Sequence, residues 1–384
     1  MSHSTQAYDC IVLGTGGVGS AALYYLAQRG AKVLGIDRFP PGHDRGSSHG
    51  ETRVIRLAYF EHPDYVPLLQ RAYTLWEAME QARSESLYVQ TGILEMGPED
   101  GEILPGVLDA AKQHNLEVES LSGAEIEKRY AGLRVPEPLV GVYEARAGFL
   151  RVEACVKVYI GEAVKRGAQL QTGETVLGWS PDGEGLTVET NRGRYRTGCL
   201  VVTAGAWAPQ LLASLNVELR VLRKPLLWYR TQTPHYRLDH GFPVWFLETD
   251  LGAIYGFPEI DELGFKLAEH TKGTEVIDPL QPDRDLWADD RRPLEALIRN
   301  HFPGVTPDCL HHAVCMYTMS PDQHFIIDRH PDDERVCFVA GLSGHGFKFA
   351  SVLGEIMSGL ALDGETEMPI EFLGLERLRV KPHG

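Results

Sequence analysis

The sequence predicts an α/β protein: a Rossmann-like dinucleotide-binding domain interleaved with an α+β domain built on an antiparallel sheet. Three observations predict it. Residues 8–38 read as strand, glycine turn, helix and strand. Two further apolar runs, Cys199–Gly205 and Val336–Ala340, meet small-residue turns far down the chain. Between them, Val221–Tyr229, Val244–Leu247, Ala253–Phe257 and Gly264–Ala268 follow one another as strands with no helix between them.

The first stretch carries the most physics. Ile11, Val12 and Leu13 form the short apolar run of a strand buried on both faces. Gly14, Gly16 and Gly19 then give G-x-G-x-x-G, with Gly17 inside it. Gly14 permits a tight turn, Gly16 lets backbone N–H groups approach a pyrophosphate, and Gly19 lets the helix pack close to the strand. Val18–Arg29 reads as that helix, with Gly30 closing it. Lys32–Ile36 is the second strand, and Asp37 stands where an acid accepts from a ribose hydroxyl. The pattern does not separate a nicotinamide from a flavin dinucleotide.

Arg38–Arg53 is a loop rich in glycine and proline beyond that second strand, passing into Val54–Tyr59. Loops at the carboxyl edge of such a sheet hold ligands, which places Ser47, Ser48, His49, Arg53 and Arg56 near the cofactor. Asp64–Glu80 has helical apolar spacing, Tyr88–Met96 reads as one strand, and Val107–His114 as a short helix. Ser122 and Glu125 form a capping box. Val152–Arg166 is an amphipathic helix, followed by Gln169–Gln171 and a hairpin, Leu186–Thr190 to Arg194–Arg196. Asp289–Asn300 is helical, and His312–Thr318 and Phe325–Asp328 are strands. Gly341–Gly346 is a second glycine loop, opening a helix over Phe347–Leu362. The two glycine loops lie at opposite ends of the chain, and a cofactor long enough to touch both helix N-termini would be FAD. The boundaries follow: 1–86, 148–218 and 319–384 for the FAD-binding domain, 87–147 and 219–318 for the substrate domain.

With 384 residues the chain is long enough for two domains. Thirty-seven basic against 53 acidic residues leave a net charge of −16, which argues against a nucleic-acid or anionic-membrane surface. A small anionic substrate answers to the local field instead. No apolar run is long enough to span a membrane, the first seven residues do not read as a signal peptide, and the last four carry no address. Six cysteines, none in a C-x-x-C pair, read as reduced thiols of a cytoplasmic protein. No spacing suggests a metal site.

Five stretches together resemble the monomeric sarcosine oxidase and N-methyltryptophan oxidase family of flavoenzymes, which includes pipecolate oxidases. They are Gly46-Ser-Ser-His-Gly-Glu-Thr-Arg-Val-Ile-Arg56, Lys266-Leu-Ala-Glu-His270, Cys315-Met-Tyr-Thr318, His324-Phe-Ile-Ile-Asp328 and Gly344-His-Gly-Phe-Lys348. The resemblance runs nearly the whole length, in order. It implies an FAD-binding domain of the glutathione-reductase type and FAD attached covalently through Cys315. It also implies that Arg56 and Lys348 hold a substrate carboxylate and that Lys266 activates oxygen. His270 and Arg53 match residues near substrate and flavin, and Tyr255 and Tyr317 match pocket-lining tyrosines. Thr52, Val176, Gly344 and Gly346 join Gly14, Gly16, Gly17, Gly19, Asp37, Arg38, Ser47 and Ser48 as the expected cofactor contacts.

The physical need is plain. An amino-acid substrate brings an anion into an apolar pocket, and a buried anion requires paired cations. Read as residues alone, Cys315 could be a core thiol, Arg56 a surface partner of Glu51 or Glu61, and Lys266 a solvated edge lysine. Lys266 and His270, at even spacing on a strand, would point to one face. The expected activity is oxidation of a small N-methylated amino acid, sarcosine first, by a monomeric chain that reduces O₂ to hydrogen peroxide. N-methyltryptophan or a cyclic imino acid such as pipecolate is the alternative substrate. A nicotinamide-dependent dehydrogenase or a non-catalytic FAD-binding protein is the alternative class.

Overall fold

A computed structural model of the chain describes residues 7–83, 86–250 and 252–379. The expectations for the first six residues and the last four lie outside them.

The first sheet is parallel at its centre, in the order Asp333–Ala340, Arg194–Val202, Ala7–Leu13, Val33–Ile36, Gln169–Gln171. Period-2 alternation divides the opening strand between two cores. Cys10 and Val12 join the core under the helices, and Ile11 and Leu13 join the one on the other face. The hairpin Val176–Asp182 with Gly185–Thr190 extends the first half of Arg194–Val202 antiparallel. That strand is continuous where the sequence suggested two pieces, and Val176–Asp182 is a strand not anticipated.

Three helices, Gly17–Gln28, Val152–Lys165 and Ala350–Leu362, cover one face. The opening helix is buried along every residue from Gly17 to Ala27. It meets the last helix at Gly354, where a methyl group would lie 2.4 Å from the Ala21 Cβ and 2.6 Å from the Ala22 nitrogen. Only glycine permits that approach. Gly30, at φ +83°, follows the opening helix as expected. The last helix differs slightly from expectation: Phe347–Phe349 is a 3₁₀ turn, and the α-helix starts at Ala350.

Among the described residues the second sheet has nine strands, antiparallel except for one pair, Val244–Thr249 beside Ile93–Pro98. Its longest pairing joins Arg220–Thr231 to Val305–Met319, a strand that starts well before the expected His312. Tyr88–Met96 is not one strand. Gly92, at φ +71°, turns the chain out of extended geometry and breaks it, and only glycine fits there because a side chain would collide with the Tyr143 ring. Tyr88–Gln90 instead joins Thr52–Ile55 and Gly148–Arg151 in a small third sheet. The capping box at Ser122 and Glu125 forms as read. Among the described residues, no helix is long and apolar enough to cross a membrane.

Candidate active site

The first glycine turn is shaped by sterics. Gly14 sits at φ +85°, and a Cβ there would lie 2.6 Å from the Thr203 carbonyl oxygen. A Cβ on Gly19 would fall 1.8 Å from the Gly14 oxygen, so the helix can lie against the turn only as glycine. Gly16 is different: the nearest atom to its missing Cβ is Ser48 Oγ at 3.7 Å. That side is open to a ligand. The helix begins at Gly17 with a glycine at its N-cap and no acid in its first turn, leaving its positive end toward the opening. Ser48 Oγ accepts from the Gly17 N–H at 3.1 Å.

Asp37 does more than wait for a ribose. Its Oδ2 accepts from the Thr15 N–H at 2.6 Å and from Thr15 Oγ1 at 3.2 Å; Oδ1 accepts from the Phe39 N–H at 2.9 Å. The carboxylate therefore ties the second strand to the glycine turn. Arg38 stacks on Trp207 at 5.4 Å.

The second glycine loop opens on the same cleft. Gly341, Ser343 and Gly344 all have positive φ. A Cβ on Gly344 would lie 2.3 Å from the Tyr317 ring, so loop and tyrosine pack without a gap. Gly14, Gly16, Gly17, Val176, Gly344 and Gly346 all line this cleft, as do Arg38, Ser47 and Ser48.

At its far end the cleft is lined by Arg56, Glu61, His270, Tyr255, Tyr317 and Lys348. Arg56 is 2% exposed. Its Nη2 donates to both oxygens of Glu61, at 3.0 and 2.8 Å, and its Nη1 donates to the Ala58 carbonyl at 3.1 Å. Glu95 Oε1 lies 3.2 Å from the same Nη1. Tyr59 and Phe60 lie against the guanidinium at 4.6 and 4.4 Å. So the surface ion pair is corrected to a buried one, with Glu61 and Glu95; Glu51 instead accepts from Trp228 Nε1. Burial raises the Glu61 carboxyl, but Arg56, His345, Lys348 and His270 together outweigh it and hold the group down at about 2.

Lys348 donates to the His345 carbonyl at 3.0 Å and to Tyr59 OH at 3.4 Å. Its ammonium is pushed down to about 7, first by burial and then by Arg56. The Tyr59 ring thus touches both cations, at 4.6 and 5.0 Å. Trp76 Nε1 donates to the Lys348 carbonyl and fixes the turn from behind.

His270 lies just past the strand Phe265–Glu269, edge-on to Phe246, Tyr255 and Tyr317. Burial and then Lys224 push its imidazole down to about 3, so it is neutral. The Tyr255 and Tyr317 hydroxyls are 3.4 Å apart.

Four expected residues sit differently. Lys266 is 1% exposed, not a solvated edge lysine, but its ammonium is aimed behind the cleft wall. It donates to the Gly50 and Thr52 carbonyls and to Thr52 Oγ1. It therefore does not share the lining with His270. Burial and the neighbouring Arg53 push it well below its ordinary value, opposed by Glu51 and Glu153. Thr52, fully buried, supports Lys266 and does not line the cleft. Cys315 is 1% exposed behind the same wall; Arg53 Nη2 donates to its sulfur at 3.1 Å and to the Ser47 carbonyl at 3.0 Å. His49 faces a separate cavity with Glu51 and Glu153.

Sequence reasoning gave no role to Glu95, Tyr59 or His345. His345 lay inside the glycine loop, the one available signal. Its Nδ1 pairs with Tyr59 OH at 2.6 Å and its Nε2 with the Gln323 carbonyl at 3.0 Å. The carbonyl requires a proton on Nε2, which leaves Nδ1 to accept.

Two glycine loops facing one cleft, with an acid after the second strand, define a dinucleotide-binding oxidoreductase. The chain belongs to the FAD dependent oxidoreductase family, whose profile matches residues 9–360. It is 39% identical over 379 residues to the monomeric sarcosine oxidase of Bacillus sp. (strain B-0618), covering 97% of each chain. It is 38% identical over 375 residues to the N-methyl-L-tryptophan oxidase of Yersinia pestis (strain Pestoides F), covering 97% of this chain and all of the relative. Among solved structures it is similar to NikD, an unusual amino acid oxidase essential for nikkomycin biosynthesis. That match has a TM-score of 0.85 at 26% identity, covering 96% of this chain and 98% of that one. The family decides for FAD where the glycine pattern alone did not, and the residues fit it: Gly14 and Gly19 leave no room for a side chain, Gly16 lines the cleft, and the helix end carries no acid in its first turn.

His345 is pushed down to about 4, mainly by burial. The folded chain therefore binds fewer protons than the unfolded one between about pH 6.5 and 4, and stability falls on acidification through that window. His345→Gln should make the fall shallower, by at most ~1.4 kcal/mol per pH unit. Denaturant unfolding at a series of pH values measures it; an unchanged slope rules the imidazole out.

Proposed function

We propose that the chain is an FAD-dependent oxidase of a small secondary amino acid, with sarcosine as its first substrate candidate. Sarcosine, O₂ and water would give glycine, formaldehyde and hydrogen peroxide. One observation carries the reading: Arg56 and Lys348 flank a single tyrosine ring at the end of the cleft that both glycine loops open on. A carboxylate held by a guanidinium and an ammonium fixes which C–H bond faces the ring system beyond. FAD, when bound, accepts the hydride equivalent and returns the electrons to O₂.

Each residue then has a task. Arg56 and Lys348 hold the carboxylate, which shares or replaces the Glu61 contact at Nη2. Phe246, Tyr255 and Tyr317 wall off water around the amine, with neutral His270 among them. Lys266 supplies positive charge where O₂ becomes negative, which in turn favours its protonated form. Arg53 fixes the direction of the Cys315 sulfur, the proposed point of covalent attachment to FAD. Gly14, Gly16, Gly17, Gly19, Asp37, Arg38, Ser47 and Ser48 hold the diphosphate and ribose end. Val176, Gly344 and Gly346 line the remainder, and Thr52 acts through Lys266.

The FAD-binding domain comprises 1–86, 148–218 and 319–384, the substrate domain 87–147 and 219–318. The chain acts as a monomer in the cytoplasm; its six cysteines, none in a C-x-x-C pair, and the name of its relatives support this. The aromatic wall also suits a larger substrate, which keeps N-methyltryptophan as a second reading beside pipecolate.

A peroxide assay over N-methyl and cyclic amino acids, read with a visible spectrum, tests the function. Peroxide with sarcosine is expected; a colourless protein or no peroxide with any member overturns it. Lys266→Met should slow flavin reoxidation far more than flavin reduction in stopped-flow traces, and equal effects would remove its role. Cys315→Ala should release the yellow colour on acid precipitation, whereas colour retained in the pellet would place the linkage elsewhere.

A further inference from the structure

Three carboxyl groups, Glu95 and Glu144 buried and Glu61 partly so, crowd one guanidinium. They are not equally held. Glu144 accepts from the Leu57 N–H with both oxygens at 3.0 Å and from the Ala58 N–H at 2.8 Å. Glu61 takes two charge-assisted bonds from Arg56 Nη2. Glu95 is 1% exposed, and among the described residues neither of its oxygens has a hydrogen-bond partner and only the 3.2 Å ion pair with Arg56 Nη1 reaches it. Its register partners on the flanking strands are apolar, Phe246 and Val142. The charged groups that act on it are Arg56, Glu144, Glu61 and Lys348.

Resting on the reading of Arg56 and Lys348 as a carboxylate clamp, we propose that Glu95 positions Arg56 and takes up the proton that accompanies a bound carboxylate. With Glu144 compensated by its backbone N–H donors and Glu61 and Glu95 both ionised, Arg56 and Lys348 are already neutralised even when Lys348, pushed down to about 7, carries its full charge. An incoming carboxylate would then place a third anion against two cations in a buried site, an uncompensated charge. One acid must become neutral, and it is the one with the fewest donors, since hydrogen bonds to the charged form are what keep a carboxylate ionised. Glu95 meets that description, and burial already drives its carboxyl up to about 8. The sign follows: at a pH where Glu95 is partly ionised, binding an anion pulls a proton from solvent onto it. The Glu95 oxygen continues to hold Nη1, opposite the Nη2 edge offered to the substrate. No bond other than the O–H forms, and no electron moves.

The test uses the purified holoenzyme and propionate, a carboxylate with no amine whose own proton would confuse the count. Titration calorimetry at pH 8 in HEPES and in Tris gives the protons taken up per propionate from the difference in apparent enthalpy. Uptake of a measurable fraction of a proton is expected in the wild-type chain. In Glu95→Gln, which keeps the shape and an oxygen for Arg56, uptake should fall at least twofold. The KM for the amino acid should lose most of its rise with pH, while kcat changes less than KM. Glu95→Asp should restore part of the uptake, which a merely structural role would not do. Zero uptake in the wild-type chain overturns the proposal whether or not the variants fold. Unchanged uptake in Glu95→Gln assigns the proton elsewhere and overturns it also. No propionate binding to the wild-type chain overturns the clamp, and Glu95 with it.

Discussion

Gly354 lies so close to Ala21 that a methyl group there would meet the alanine's own at 2.4 Å. This contact sets the opening and closing helices side by side, although more than 300 residues separate them. Each helix follows a glycine loop on a buried strand. Fixing the helices therefore fixes the loops, and the cleft exists because both loops face it. The approach is a matter of sterics, and the rest of the site inherits its geometry from it.

Within that cleft the governing expense is burying charge. Arg56 is enclosed by two carboxylates, a carbonyl and two rings, and Lys348 by a carbonyl, a hydroxyl and a ring. Such clusters are poor sources of stability compared with apolar packing. Their use is directional: a guanidinium held at Nη1 and stacked on both sides offers one edge to a ligand. The neutral imidazoles of His270 and His345 extend the same logic, since a neutral ring costs less to bury than a charged one.

The glycine cradle was legible because its demands are local. Gly14 needs a positive φ and Gly19 needs no side chain, and both are properties of single residues. Alternation gave the buried strands for the same reason. The break at Gly92 left a signal too, a glycine inside a strand run, but what demands glycine there is the Tyr143 ring on another strand. Glu95 left none, since it meets Arg56 only through a different sheet. Lys266 was placed on the right strand, yet its partners are backbone carbonyls of Gly50 and Thr52, which no side-chain pattern records. The five resembling stretches gathered residues that single-residue rules could not join.

The strand Val305–Met319 carries Cys315 and Tyr317 two places apart, in unbroken register with Arg220–Leu227. A one-residue insertion or deletion there would turn both side chains to the opposite face. Length variation during descent is therefore barred from this stretch, while point changes are not. It is left to solvent-facing hairpins such as Asp182–Gly185 and Asn191–Gly193, where added residues disturb no sulfur and no phenol. Gene lineages of this architecture should differ in their turn lengths and agree, residue for residue, in the spacing along that strand.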